Sequence, residues 1–240
     1  MAALLEVCVD AVDSALAAQD GGALRVELCD DLSVGGITPA QELVEAARAV
    51  LTIGLHVMIR PRGGDFCYSA KEFDEMKSAV LSCRRLAVDG IVTGMLLPDR
   101  SADVWRLGEL ARIARPMQVT FHRAFDEAAD SLLALDAAIV LGIDRILTSG
   151  RRASAREGVE EIKNLIDRSA GRVAIMPGGG IDEGNAAGIL ASTGARELHV
   201  GSAVRSHRGA RAALVSAARP LEGVTDAGKV RHLLSVMNAR

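Results

Sequence analysis

Glu6 and Cys8 stand two residues apart in an apolar run near the N-terminus, and Glu27 and Cys29 repeat that spacing in a second run. Side chains two apart on a strand share a face. Each segment therefore shows a carboxylate and a thiol on one face and aliphatic residues such as Leu5, Val7 and Val9 on the other. Because the aliphatic face must be buried, the carboxylates and thiols border a second interior space. Two glutamates crowded there would hold one proton between them, which supplies both an acid and a base. His122, a candidate proton shuttle, ends a later apolar run. Arg60 and Arg62 stand beside a Gly63-Gly64 pair, an arrangement suited to a carboxylate or phosphate. Gly178, Gly179 and Gly180, with Ser202 further along, form a second candidate anion cradle.

These groups need a scaffold that brings distant segments together. Eight β-rich runs fall at 4–9, 24–29, 55–60, 90–95, 117–123, 145–149, 173–176 and 197–200. Ala-rich helical segments separate them, for instance 39–50 after Thr38, 70–87 after Ser69 and 103–114 after Ser101, with a last helix at 226–239. Eight strand-then-helix units without a composition break predict one (β/α)₈ TIM barrel over 1–240, with a doubly wound open sheet as the rival. A chain of 240 residues, 49% hydrophobic, suits a single domain of this kind.

In such a barrel the active site lies at the C-terminal ends of the strands. Alternation turns Glu6, Cys8, Arg25, Glu27, Cys29, His56, Met58, Arg60, Thr120, His122, Glu197 and His199 inward, with Cys8, Cys29, Arg60 and His122 uppermost. Arg25 and Glu197 read as an ion pair near the barrel bottom. Glu6, Glu27 and His122 are the candidate catalytic groups, and the loops after strands seven and eight are where barrels often hold phosphate.

Several segments together resemble one family. Leu5-Glu6-Val7-Cys8, Arg25-Val26-Glu27-Leu28-Cys29, Gly35-Gly36-Ile37-Thr38-Pro39, the 60–68 loop, Val119-Thr120-Phe121-His122-Arg123-Ala124-Phe125-Asp126 and Leu147-Thr148-Ser149-Gly150 look like the copper homeostasis protein CutC family. The match runs in order from Leu4 to about Ser202, and the tail after Arg205 is less distinctive. The resemblance implies a cytoplasmic barrel associated with copper, with Cu(I) bound at Cys8 and Cys29; it brings no defined reaction. Thiolates are soft ligands suited to Cu(I), and adjacent strands are close enough for two sulfurs to share one ion if their registers agree. Met58 could add a thioether.

An enzyme is the alternative reading, an isomerase, epimerase or aldolase acting on a small phosphorylated or carboxylated substrate. Glu6, Glu27 and His122 would then be catalytic, and Arg60, Arg62, Arg123, Gly178, Gly179, Gly180 and Ser202 would hold the substrate. A net charge of -3 and 2% aromatic content argue against a nucleic-acid partner. No run approaches the length of a membrane span, so a copper ion or a small anion is the expected partner, and the sequence leaves room for a homo-oligomer.

Overall fold

The computed structural model describes residues 3–206 and 223–239. Strands β1 (Leu4–Val9), β2 (Arg25–Leu28), β3 (Gly54–Met58), β4 (Gly90–Thr93), β5 (Gln118–Phe121), β6 (Arg145–Thr148), β7 (Ala174–Pro177) and β8 (Glu197–Val200) are all parallel, in the order β7-β6-β5-β4-β3-β2-β1-β8. A parallel bridge from Gly178 to His199 joins β7 to β8 and closes the barrel. The expected fold is the observed one, and the open sheet is ruled out.

Glycine is required at that seam. A β-carbon on Gly178 would meet Leu147 Cδ1 at 2.5 Å and His199 Cβ at 3.2 Å, so only a bare backbone can approach β8 there.

The outer layer comprises α1 (Val12–Asp20), α2 (Gln41–Val50), α3 (Ala70–Arg85), α4 (Val104–Ala114), the short α5 (Ala124–Glu127), α6 (Ser131–Val140), α7 (Val159–Ser169), α8 (Ala186–Thr193) and α9 (Ala227–Asn238). Leu5, Val7, Val9, Val26, Leu28 and Leu55 are fully buried between strands and helices. Removing such a side chain to Ala typically costs 2–5 kcal/mol, roughly, through lost burial and a cavity.

Local signals act mostly as expected. Ser69 caps α3 in a reciprocal box with Glu72, and Asp226 caps α9 through Gly228 and Lys229. Thr38 does not cap a helix. Its hydroxyl donates to Arg60 O and accepts from Arg60 N at 2.8 Å, which latches the β2 loop to the end of β3; α2 begins three residues later without a side-chain cap. Asp103, not Ser101, caps α4. After β8, a short antiparallel pair, β9 (Arg205–Ser206) and β10 (Val224–Thr225), leads into α9; residues 207–222 of the tail lie outside the described residues.

Candidate functional site

Strand register decides which inward groups meet. Glu6 is level with Arg25 on β2 and with His199 on β8, and Cys8 is level with Glu27 one inward step higher. Cys29, two residues past Glu27, stands above both.

The lower level is an ion-pair network. Arg25 donates to Glu6 and, at 2.6 Å, to Glu197 Oε2, and its Nη2 also reaches Met176 Sδ at 3.2 Å. The anticipated Arg25–Glu197 pair is therefore present, and Arg145 on β6 joins it by pairing with the same carboxylate. His199 Nδ1 lies 2.7 Å from Glu6 Oε1. Burial alone would raise the Glu6 pKa, yet Arg25 and His199 outweigh it and hold the carboxyl well below the usual range. Glu6 is thus an ionised carboxylate between two cations. It is fully buried and is not among the residues that line the cavity above: alternation gives its face correctly but not its depth.

The upper level is different chemistry. Cys8 Sγ and Cys29 Sγ are 3.3 Å apart, and both thiols are free and buried. With Met58 and Val92 they form a small apolar cluster separate from the main core. The hydrogen bond with Cys29, together with burial, raises the Cys8 pKa well above the thiol value. The Cys29 pKa is also raised, because burial and the nearby Glu27 outweigh the hydrogen bond from Cys8. Cys8, Glu27 and His199 converge so that one ligand atom from each lies within 4.8 Å of the others.

Glu27 and His199 are only loosely paired, with Glu27 Oε2 3.7 Å from His199 Nε2. Burial, more than the opposing pull of His199, raises the Glu27 pKa. Burial would push the His199 pKa down, but Glu27, Cys8 and Glu6 around it drive it well above the free value, so the ring is an imidazolium. Alternation turned His199 inward, yet it had no assigned role; it proves to be the group that touches both carboxylates and stands beside the thiol.

A cavity of about 450 Å³ opens over this level, lined by Cys8, Glu27, Met58, Arg60, His122 and Arg123 among others. Its size falls in the range of small-molecule sites. Arg60 lines it with both terminal nitrogens engaged and only Nε unpaired. Nη1 donates to Val34 O at 2.8 Å and Gly36 O at 3.0 Å, and Nη2 donates to Gly64 O at 2.9 Å, so the side chain staples the β2 and β3 loops together. His122 Nδ1 accepts from Ala124 N–H at 3.1 Å.

The other proposed anion ligands are arranged otherwise. Arg62 pairs with Asp65 at 3.0 Å and Glu72 at 2.7 Å and donates to Cys67 O, so it braces its own loop against α3 and is not among the residues that line the cavity. Arg123 does line the cavity, held by Asp126 at 2.7 Å and Ser149 Oγ at 2.7 Å. Gly178 N donates to Thr148 O, while the carbonyls of Gly179 and Gly180 accept from Ala155 N and Asn185 Nδ2. Ser202 opens a single three-residue 3-10 turn. None of these four residues lines the cavity, and the glycine run serves barrel closure.

Sequence reasoning overlooked Arg145 and Asp126. Arg145 alternates with the inward Leu147 and could have been found from that pattern. Asp126 accepts from Thr148, Ser149 and Arg151 as well as from Arg123. Only the one-turn helix α5 places it, and no periodicity marks so short an element.

The chain matches the sequence profile of the CutC family over residues 3–204. It is 49% identical over 212 residues to a CutC family protein of Chromobacterium violaceum, covering 86% of each chain. With a human copper homeostasis protein cutC homolog it shares 43% identity over 241 residues, covering 97% of this chain and 88% of that one. The crystal structure of a CutC from Streptococcus agalactiae superposes with a TM-score of 0.79 at 32% identity, over 83% of this chain and 98% of that one. Phosphoribosylanthranilate isomerase of Thermotoga maritima superposes with a TM-score of 0.61 at 13% identity, over 99% of this chain and 98% of that one, a likeness of fold alone. A shared barrel would not by itself separate these groups, but identity sustained along nearly the whole chain does, and the chain belongs to the CutC family.

Proposed function

We propose that this protein takes part in copper homeostasis by binding one Cu(I) ion through Cys8 Sγ and Cys29 Sγ. The observation that carries this reading is the pair of free thiols 3.3 Å apart, with Cys8 lining the open cavity and Cys29 buried behind it. Soft sulfur donors select Cu(I) over the harder divalent ions that carboxylates and water favour. Met58 belongs to the same cluster, so a thioether is at hand as a third soft donor.

The chain's own groups fit the charge such a site acquires. Both thiols are protonated at neutral pH, so loading releases two protons. Two thiolates and one Cu(I) carry a net negative charge, and the buried His199 imidazolium beside Cys8 balances it. Glu6, itself held by Arg25, fixes that imidazolium from below and, with Glu27, keeps it charged. Cys67, half-buried in the β3 loop, and Cys83, in α3, have no thiol neighbour among the described residues and are not part of the site.

X-ray absorption on the protein loaded with Cu(I) tests this assignment. At least two sulfur scatterers in the first shell, with one lost in Cys8→Ser, are expected. A first shell of nitrogen and oxygen alone would overturn it.

A further inference from the structure

Three buried side-chain atoms at the barrel mouth have no partner: Glu27 Oε1, Arg60 Nε and His122 Nε2. Their residues are 2%, 5% and 4% exposed, and all three line the same cavity. Each unpaired buried polar atom costs about 1–3 kcal/mol. Three of them, from the ends of three different strands converging on one cavity, call for a ligand that pairs them.

Two of the three can only donate. Arg60 Nε–H has no lone pair to offer. Because Ala124 N–H donates to His122 Nδ1, the ring proton sits on Nε2. Burial, and then the nearby Arg60 cation, push the His122 pKa down to about 3, so the ring remains a neutral single donor. The Arg60 guanidinium meets backbone carbonyls, lies near the buried Tyr68 hydroxyl, which also lacks a hydrogen-bond partner, and, among the described residues, meets no carboxylate. A complementary ligand thus brings acceptor oxygens and a negative charge. The rest of the wall includes Leu32, Val34, Met58, Phe66 and Leu147, which suits a carbon skeleton better than an inorganic ion. Phe66 is half-buried, with its ring 4.9 Å from the His122 ring and 5.0 Å from Arg60 Cζ, so it lies against both donors.

We propose that this cavity binds a small organic acid whose carboxylate or carbonyl oxygens accept from Arg60 Nε and His122 Nε2, with its skeleton displacing the Phe66 ring. Glu27 Oε1 borders the cavity at the end that holds Cys8 and accepts from a hydroxyl where the ligand carries one. The site is distinct from the paired sulfurs and does not depend on metal.

Metal-free, reduced protein is titrated with pyruvate, 2-oxoglutarate, benzoate and inorganic phosphate. Melting temperature and the ¹⁵N–¹H signal of His122 Nε2 are followed. At least one organic acid should raise the melting temperature and shift that signal. His122→Phe, which keeps a ring but loses the donor, should weaken binding at least about tenfold, as loss of a hydrogen bond to a charged ligand does. Phe66→Ala, which uncovers both donors, should retain or tighten it. Cys8→Ser should keep acid binding while losing Cu(I), so failure of the copper site and failure of this one are separable. No response to any of the three acids, a response to phosphate alone, or equal affinity in wild type and His122→Phe would overturn the proposal.

Discussion

Cys8 is the Cα partner of Glu27 across the β1–β2 ladder, yet its sulfur meets that of Cys29, 3.3 Å away on the next inward position of β2. This diagonal relationship puts both thiols in one small cluster with Met58 and within the influence of the Glu27 carboxyl. In the proposed copper site, metal binding and proton release are linked, because both thiols are protonated in the metal-free protein.

The pH dependence of Cu(I) affinity follows from that linkage. Both thiol pKa values are raised, so each is protonated in the metal-free protein and gives up a proton on loading. Apparent affinity should climb by up to about 100-fold per pH unit around neutrality, two protons being released per ion. Competition titrations at several pH values check this, and a flat profile would mean that these thiols are not the ligands.

The two glutamates should respond oppositely to neutralisation. Glu6→Gln leaves Arg25 and the His199 imidazolium buried and underpaired, so it should cost about 3–5 kcal/mol. Glu27 has only a 3.7 Å contact to His199 and an unpartnered Oε1, so Glu27→Gln should be neutral or stabilising at pH 7. The signs follow from linkage. The folded-state pKa of Glu27 is raised, so its contribution is present below the ordinary carboxyl pKa and is lost as pH rises through the folded value; the depressed Glu6 contributes above the ordinary pKa and loses that contribution as pH falls. Chemical denaturation of both variants at neutral and mildly acidic pH decides.

The division between these glutamates shows what a sequence can and cannot convey. Strand alternation placed Glu6, Glu27, Cys8, Cys29, His122 and His199 on the inner face, and the β-then-α rhythm specified the barrel that makes an inner face meaningful. Depth was not legible, because it depends on the stagger between neighbouring strands. Glu6 therefore fell into the buried network and Glu27 into the cavity. Side-chain direction in loops was equally hidden: Arg62 turns to Glu72 because the α3 capping box places that carboxylate beside it, and Thr38 reaches back to β3 instead of capping α2.

Two buried histidines should make the fold acid-sensitive. Burial holds the His56 pKa down to about 4, and burial followed by Arg60 holds His122 at about 3, against an ordinary value near 6.5. Their contribution is complete above pH 6.5 or so and is lost as pH falls through the folded values, at up to about 1.4 kcal/mol per pH unit for each ring. His122→Phe should flatten the pH-stability curve between about pH 6 and 4 relative to wild type. An unchanged slope would show that the ring is protonated in the folded protein.

Barrel closure gives a test of packing. Gly178→Ala forces a methyl group onto Leu147 and His199 and should cost about 1–3 kcal/mol. Gly188→Ala, inside α8 with open space around the added carbon, should instead stabilise by about 0.5–1 kcal/mol. Thermal melts of the pair read out the opposite signs.

The most direct test of the copper assignment is a competition titration of reduced protein against a chromophoric Cu(I) chelator, run on four single variants. Cys8→Ser and Cys29→Ser should each lose affinity by orders of magnitude, while Cys67→Ser and Cys83→Ser should match wild type. Equal losses across the four variants, or unaltered affinity in Cys8→Ser and Cys29→Ser, would contradict a Cu(I) site built on the paired sulfurs.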